Sequence, residues 1–344
     1  MKKIELIAEI AWGHNGDESH LMNLLRSSAA SGCDWVSIHI TDMSEYMVEY
    51  YGNLEGSVSG GREVSNVYNY LSEINISNDA WIKFNNLRKE LGIKLMVMPN
   101  DTSSFYFTQS HLSPDAYVLS AASFAEDLMV ELLAKSKKKI FLRVGGSTIS
   151  EMARTIQKFE ELASNDLVLL HGVQNYPTSI SDSYLEDLTV LKKAFNHSVG
   201  LADHIDGDDM FAQILPVLSV CYGVEYIEKH ITLKRSDKDE DFEAALEPHE
   251  LKLLSTNLKS AQAAIQRSNL VSLTETQKEY RNVSRKKIIL SKNVTQEEVL
   301  TRDKIIYKRS HQGITIDELP LYLGRKFAAN LSENETLLPK HFIK

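Results

Sequence analysis

The sequence predicts an α/β fold: a (β/α)8 TIM barrel followed by a small, mostly-β module. Three observations carry this reading. Eight short β-branched runs recur over the first 230 residues, most of the gaps between them hold helix-like text, and the pattern changes after about residue 250.

The runs are IELIAEI, DWVSIHI, IKLMVMP, DAYVLSA, KIFLRVG, DLVLLHG, HSVGLAD and VEYIEKH. Between them lie segments such as SHLMNLLRSSAASG, NDAWIKFNNLRKELG and ISEMARTIQKFEELAS, several opening at Ser, Thr, Asn or Asp and two closing at Gly. A doubly wound sheet would have fewer strands and a glycine-rich first turn, and no G-x-G-x-x-G follows the first run. EPHELKLLSTNLKSAQAAIQRS then reads as an amphipathic helix. NLVSLTETQKEYRN reads as a polar linker, and RKKIILSKNV, KIIYKRS and HQGITI as short strands and a turn. The expected boundaries are a barrel over 1–268, a linker over 269–282 and the small module over 283–344.

With 43% apolar residues and a net charge of −9, the 344-residue chain can bury a large core and offers no broad basic surface for nucleic acid. The one basic run, Lys135 to Lys139, suits a solvated helix end. Glu5 and Glu9 interrupt the N-terminal apolar run too early for a signal or membrane segment. Cys33 and Cys221 sit in apolar text and are expected to be buried, reduced thiols of a cytoplasmic protein.

Barrel active sites form at the C-terminal ends of the strands. Here those ends carry Glu9, His39, Asn100 with Asp101, Ser120, Arg143, His171, Asp203 with His204, and His230. A shared polar pocket is the expectation. The period-two alternation of VEYIEKH puts Glu228 and His230 on one face and Lys229 on the other. His204 and His230, on adjacent strands, can converge on one divalent ion, Mn²⁺ first, with Mg²⁺, Fe²⁺ or Zn²⁺ as alternatives, or else form a pair of buried neutral histidines bonded to backbone carbonyls. Barrel closure brings Glu9 beside them as a general base or acid, or else as one half of a salt bridge with Lys229 or Arg143. His14 and Asn15, in WGHNGD, serve either the turn itself or a substrate.

These residues resemble the sialic acid synthase family, which includes the synthases of legionaminic and pseudaminic acids. The likeness is carried by IAEIAWGHNGD (7–17), LLHGVQNYPT (169–178), VGLADHIDGD (199–208), IEKHITL (227–233), ALEPHEL (245–251) and KRSHQGI (308–314). It implies a metal-dependent barrel that condenses phosphoenolpyruvate with the open-chain aldehyde of an N-acylated hexosamine, releasing phosphate. The tail would be an antifreeze-like (SAF) domain that reaches across a domain-swapped homodimer and places Arg309 over the partner's site. The implied metal ligands are His204 and His230. Glu9, Arg143 and Asp203 are the catalytic candidates, and His14, Asn15, His39, Gln174, Tyr176, Asp241 and Arg309 the substrate-binding ones.

The departures fall on the donor half. Where the family reads V-K-F-Q, this chain has Val36-Ser37-Ile38-His39; where it reads Y-K-I-G-S, this chain has Tyr117-Val118-Leu119-Ser120-Ala121. S-T-G-M has become Arg143-Val144-Gly145-Gly146, the serine of Y-S-D-H has become Ala202, and G-P-D-H has become Asp239-Glu240-Asp241-Phe242. Two lysines that hold the anionic donor are gone, a loss of roughly 3–6 kcal/mol of charge-assisted hydrogen bonding. Arg143 stands where a replacement cation would be expected. Two readings follow: a synthase with a rebuilt donor site, or a sugar enzyme with another donor or reaction, such as C–C cleavage, epimerisation or hydration. A silent sugar-binding homologue is a third, disfavoured by the histidine pair.

Overall fold

The computed structural model describes residues 3–49, 56–57, 63–64, 66–163, 166–265 and 272–343. Two compact units divide the chain, Met1–Gln266 and Arg267–Lys344.

In the first unit eight parallel strands close on themselves: β1 (Glu5–Ala11), β2 (Trp35–Ile40), β3 (Lys94–Pro99), β4 (Ala116–Ser120), β5 (Lys139–Arg143), β6 (Leu167–His171), β7 (Ser198–Asp203) and β8 (Tyr226–His230). Each pairs with its neighbours in sequence, and β1 pairs with β8 in a register that sets Glu9 beside His230. The alternation of side chains sorts the strand residues into two cores. Ile7, Trp35, Met96, Val118, Phe141, Leu170 and Ala202 fill the barrel. Leu6, Ala8, Val36, Ile38, Leu95 and Val97 point outward against the helices.

Those helices are α1 (Glu18–Ala30), α2 (Asn78–Leu91), α3 (Thr102–Phe107), α4 (Asp127–Lys135), α5 (Ile149–Leu162), α6 (Glu186–Phe195), α7 (Phe211–Ser219) and α8 (Pro248–Ala264). Their starts are written in the sequence. Asp17, Ser77 and Asp101 accept amide hydrogens in the first turns of α1, α2 and α3, and Thr148 with Glu151 forms a capping box on α5. Helix α2 ends at Gly92, whose φ of 69° is left-handed. Leu21, Leu24 and Leu25 of α1 are fully buried, each contributing about 1.5–3 kcal/mol.

Between β2 and α2 the chain adds a helix at Met43–Tyr46, a hairpin pairing Gly56–Ser57 with Glu63–Val64, and a helix at Val67–Glu73. Met43, Val67, Leu71 and Ile74 pack together there with Trp12 against them. One expectation is corrected. Cys33 is only half-buried and Cys221 is exposed, because the latter lies in the short turn after α7 and not in a strand. Within the polar stretch after the barrel, α9 spans Glu275–Ser284 behind a Thr274–Gln277 capping box.

In the second unit β9 (Lys286–Leu290) pairs antiparallel with β10 (Ile305–Arg309), and Ile288, Leu290, Leu300, Phe327, Leu337 and Phe342 form its core. Among the described residues no helix is long and apolar enough to cross a membrane.

Candidate active site

Inward positions at the top of the barrel hold Glu9 on β1, His39 on β2, Arg143 on β5, and Glu228 and His230 on β8. Their centre is an ionic cluster. Arg143 crosses the barrel: Nη2 donates to Glu9 Oε2 and, at 2.9 Å, to Glu228 Oε2, while Nη1 lies 3.2 Å from His39 Nε2. His39 Nε2 is also 3.1 Å from Glu9 Oε1. Glu9 and Glu228 are 0% and 1% exposed, so neither has water to stabilise its charge.

The neighbours set the protonation. Burial alone would raise the Glu9 carboxyl, but Arg143 and His39 override it and hold it well below the usual carboxylate range. Burial pushes Glu228 up to about 7, opposed by Arg143 and assisted by the charge of Glu9. Burial likewise works against the Arg143 cation, and Glu228 and Glu9 outweigh it, so the guanidinium stays charged. His39 is shifted down by burial.

Beside this cluster stand the two candidate metal ligands. The His204 and His230 ring centroids are 5.4 Å apart, and the Tyr176 ring packs 4.4 Å and 5.4 Å from them. His204 Nδ1 is 2.8 Å from the Val173 carbonyl, which can only accept; Nδ1 therefore carries the hydrogen and Nε2 keeps its lone pair. Burial depresses both imidazoles, His204 to about 3, leaving them neutral as metal ligation requires. Asp241, at a φ of 63°, brings Oδ2 to 3.9 Å from His230 Nδ1. Among the described residues no three His, Cys, Asp or Glu side chains gather as a complete cation cage. Two neutral imidazoles, with the Nε2 lone pair of His204 left free, are donors of the kind an open divalent-ion site would use.

Close backbone stacking sets this corner. A Cβ on Gly145 would lie 1.9 Å from the Gly172 carbonyl oxygen, and one on Gly172 would lie 2.1 Å from that of Ala202. Glycine is required at both places for the ends of β5, β6 and β7 to approach so closely, and Val173, which orients His204, follows directly.

Several predicted site residues lie elsewhere. Asp203 is turned out of the barrel, where its carboxylate takes Lys229 Nζ at 2.8 Å and the Ile205 amide at 3.1 Å; the same alternation that points Ala202 inward explains this. His14 belongs to its turn: Nδ1 accepts the Gly16 amide, and the buried ring packs on Trp81. Asn15 donates to Asp239 at 2.7 Å, tying the loop after β1 to the loop after β8. His171 is bound to the Ser183 carbonyl, and Asp101 caps α3. Gln174 lies exposed at the rim and accepts the Tyr176 hydroxyl at 2.9 Å. Arg309 is an exposed residue of the second unit and donates to Ser284 at 2.7 Å.

Glu228 is absent from the predicted site residues, although its parity with His230 was a sufficient signal. A second addition is the acidic collar after β8. Asp239 lies 3.1 Å from His20, and Glu240 accepts the Tyr70 hydroxyl at 2.6 Å, both carboxylates being buried.

The NeuB family pattern matches residues 24–269, more than half of the chain. The chain belongs to the NeuB family. It is 26% identical over 340 residues to N,N'-diacetyllegionaminic acid synthase of Legionella pneumophila, covering 98% of this chain and 94% of the relative. It is 23% identical to N-acetylneuraminate-9-phosphate synthase of Drosophila melanogaster, at 99% and 96% coverage. The NeuB-type barrel is shared with a solved N-acetylneuraminic acid synthetase from Leptospira borgpetersenii, crystallised with citrate: TM-score 0.70, 21% identity, 82% of this chain and 93% of that one. At that identity the likeness speaks for the fold.

Proposed function

We propose that this NeuB-family chain is a metal-dependent sugar enzyme of the nonulosonate synthase class, acting on the open-chain carbonyl of an N-acyl hexosamine. One observation carries the reading: His204 and His230 face each other across 5.4 Å beside Tyr176 and within electrostatic reach of Glu9. His204 and His230 would hold a divalent ion, Mn²⁺ by preference, which supplies Lewis-acid polarisation of the sugar's carbonyl oxygen. Tyr176 walls the sugar against both imidazoles. Glu9, kept ionised by Arg143 and His39, accepts a proton from water or from the attacking group, and Glu228 holds the proton that the pair exchanges. Arg309 is carried as a contact made in trans within a homodimer.

The resemblance supplies phosphoenolpyruvate as donor. The second reading, a sugar enzyme with another donor or reaction, is favoured by what surrounds Arg143. Ser37 and Val118 stand where lysines would be, and Arg143 is already bound by two carboxylates. Calorimetry of the Mn²⁺-loaded chain with phosphoenolpyruvate separates the two, micromolar binding favouring the synthase. For the metal role, His230→Ala is expected to lose both metal retention and turnover. Undiminished Mn²⁺ in the purified variant would remove the basis of the proposal.

A further inference from the structure

The loop that follows β8 leaves the barrel at His230 and returns to the same place. The Leu246 amide donates to the His230 carbonyl at 2.9 Å, and the Thr232 amide to the Leu246 carbonyl at 3.1 Å. Residues 233–245 are therefore a closed excursion rooted at one of the two candidate metal ligands. Its crest is fastened from several sides. Asp239 accepts from Asn15 Nδ2 at 2.7 Å and from Thr232 Oγ1 at 3.1 Å, and His20 Nε2 lies 3.1 Å from its carboxylate. Glu240 accepts the Tyr70 hydroxyl at 2.6 Å; that tyrosine belongs to the helix inserted after β2 and packs on the small core of Met43, Val67, Leu71 and Ile74. From the loop after β7, the Gly207 amide donates to the Glu243 carbonyl at 2.7 Å. Asp239 and Glu240 stand at the two positions where Gly-Pro of the family motif has been replaced.

Asp241 comes next. Its φ of 63° and ψ of 17° are left-handed, a conformation that residues with a Cβ keep only where the surroundings enforce it. In that conformation the buried carboxylate brings Oδ2 to 3.9 Å from His230 Nδ1. This is longer than a hydrogen bond, and the contact is electrostatic. A negative oxygen on that side favours the tautomer with its hydrogen on Nδ1 and leaves the lone pair on Nε2. His204 is arranged in the same sense, with Nδ1 on the Val173 carbonyl. With an ion on Nε2 the attraction between Nδ1–H and the carboxylate grows, and outer partners of this kind orient an imidazole and raise its basicity.

We propose that Tyr70, through Glu240, and Asn15 and His20, through Asp239, are positioning residues that hold Asp241 in its left-handed turn on the Nδ1 side of His230, so that both imidazoles present Nε2 to one ion. The proposal rests on the reading of His204 and His230 as metal ligands, and it gives Asp241 an orienting role beside any contact with sugar. The test is Mn²⁺ calorimetry on the full chain, with a thermal melt of each variant. Asp241→Gly accepts the left-handed φ and removes the carboxylate; it is expected to weaken Mn²⁺ at least about tenfold. Tyr70→Phe removes only the hydroxyl and is expected to weaken it about threefold, the size of a modest coupling between neighbours. Glu240→Ala should match Tyr70→Phe, and Glu240→Gln, which keeps an acceptor for the hydroxyl, should recover much of that loss. Because Tyr70 acts through Asp241, the double variant Tyr70→Phe/Asp241→Gly should bind no more weakly than Asp241→Gly alone. Effects that multiply overturn the proposal, as does a folded Tyr70→Phe protein with unchanged Mn²⁺ affinity. Nitrogen chemical shifts of labelled histidines in the metal-free protein supply a readout independent of the ion. Wild-type His230 is expected to carry its hydrogen on Nδ1, and Asp241→Gly to show a mixture of tautomers. A wild type that binds no Mn²⁺ yet shows this dependence on Asp241 sinks the metal reading and leaves the positioning standing; an identical tautomer in both proteins overturns the positioning.

Discussion

Arg143 joins Glu9 and Glu228, 134 and 85 positions away in the sequence, inside the barrel. Removing it strands Glu9 and Glu228 side by side in the barrel, so Arg143→Ala should destabilise the protein by about 3–5 kcal/mol in urea denaturation. Changing all three residues to apolar ones of similar volume should recover most of that loss. Lys229 and Asp203 form a second fully buried pair at 2.8 Å, and Lys229→Met is expected to cost a similar amount through the orphaned carboxylate. At the collar the sign of the pH dependence is fixed by His20. Its hydrogen bond to Asp239 raises its pKa above the ordinary 6.5. The bond therefore contributes fully below pH 6.5 and is lost as pH rises through the elevated folded value. Melting temperatures of wild type and His20→Gln, compared between pH 6 and 9, should converge as pH rises; parallel curves would deny the collar that role. Alternation along a strand made the inward aim of Glu9, His39 and Glu228 legible beforehand. The convergence of residues 9, 143 and 228 was not, because it depends on the width of the closed barrel and on how far an arginine reaches across it.

Strand and helix starts were the most readable elements, since each is fixed by neighbours in sequence. Asp17, Ser77 and Thr148 do their capping within three residues. Helix α9 shows the limit of that reading. Its capping signal, Thr274 with Gln277, is in the sequence, but no residue of the helix is buried and so no apolar stripe marks it. The insertion after β2 escaped for the related reason that its small core is completed by Trp12, from another loop. Close approach of strand ends is the third kind of information a linear reading lacks, and it makes a prediction at this scale. Gly145→Ala must push back the Gly172 carbonyl, whose neighbour Val173 orients His204. It should cost about 1–3 kcal/mol and also weaken Mn²⁺ retention. Gly92→Ala is the control. It meets no atom within 4 Å, so only its left-handed φ of 69° is penalised, at about 1 kcal/mol, and metal binding should be untouched.

At the scale of the whole chain, the division at Gln266 separates two hydrophobic cores that share no residue. The core around the barrel runs from Ile4 to Leu258, so a fragment ending at residue 266 contains all the described residues of that cluster. Such a fragment should melt cooperatively with a far-ultraviolet spectrum of mixed helix and strand. If His204 and His230 hold a divalent ion, the fragment should keep it, since both residues and the Val173 carbonyl remain. Sugar affinity is where the fragment and the full chain should part. If Arg309 reaches a sugar bound in the partner's barrel, its loss removes one charge-assisted hydrogen bond of about 1.5–3 kcal/mol, roughly ten- to a hundred-fold in affinity. Full-length Arg309→Ala should reproduce that loss without changing the melting of the barrel. Sedimentation should report a dimer for the full chain. Adding an excess of His230→Ala protein, whose own site is disabled but whose Arg309 is intact, to Arg309→Ala protein should restore binding through mixed dimers. Failure of that rescue, or a fragment that binds the sugar as tightly as the full chain, would show that the barrel completes its site alone.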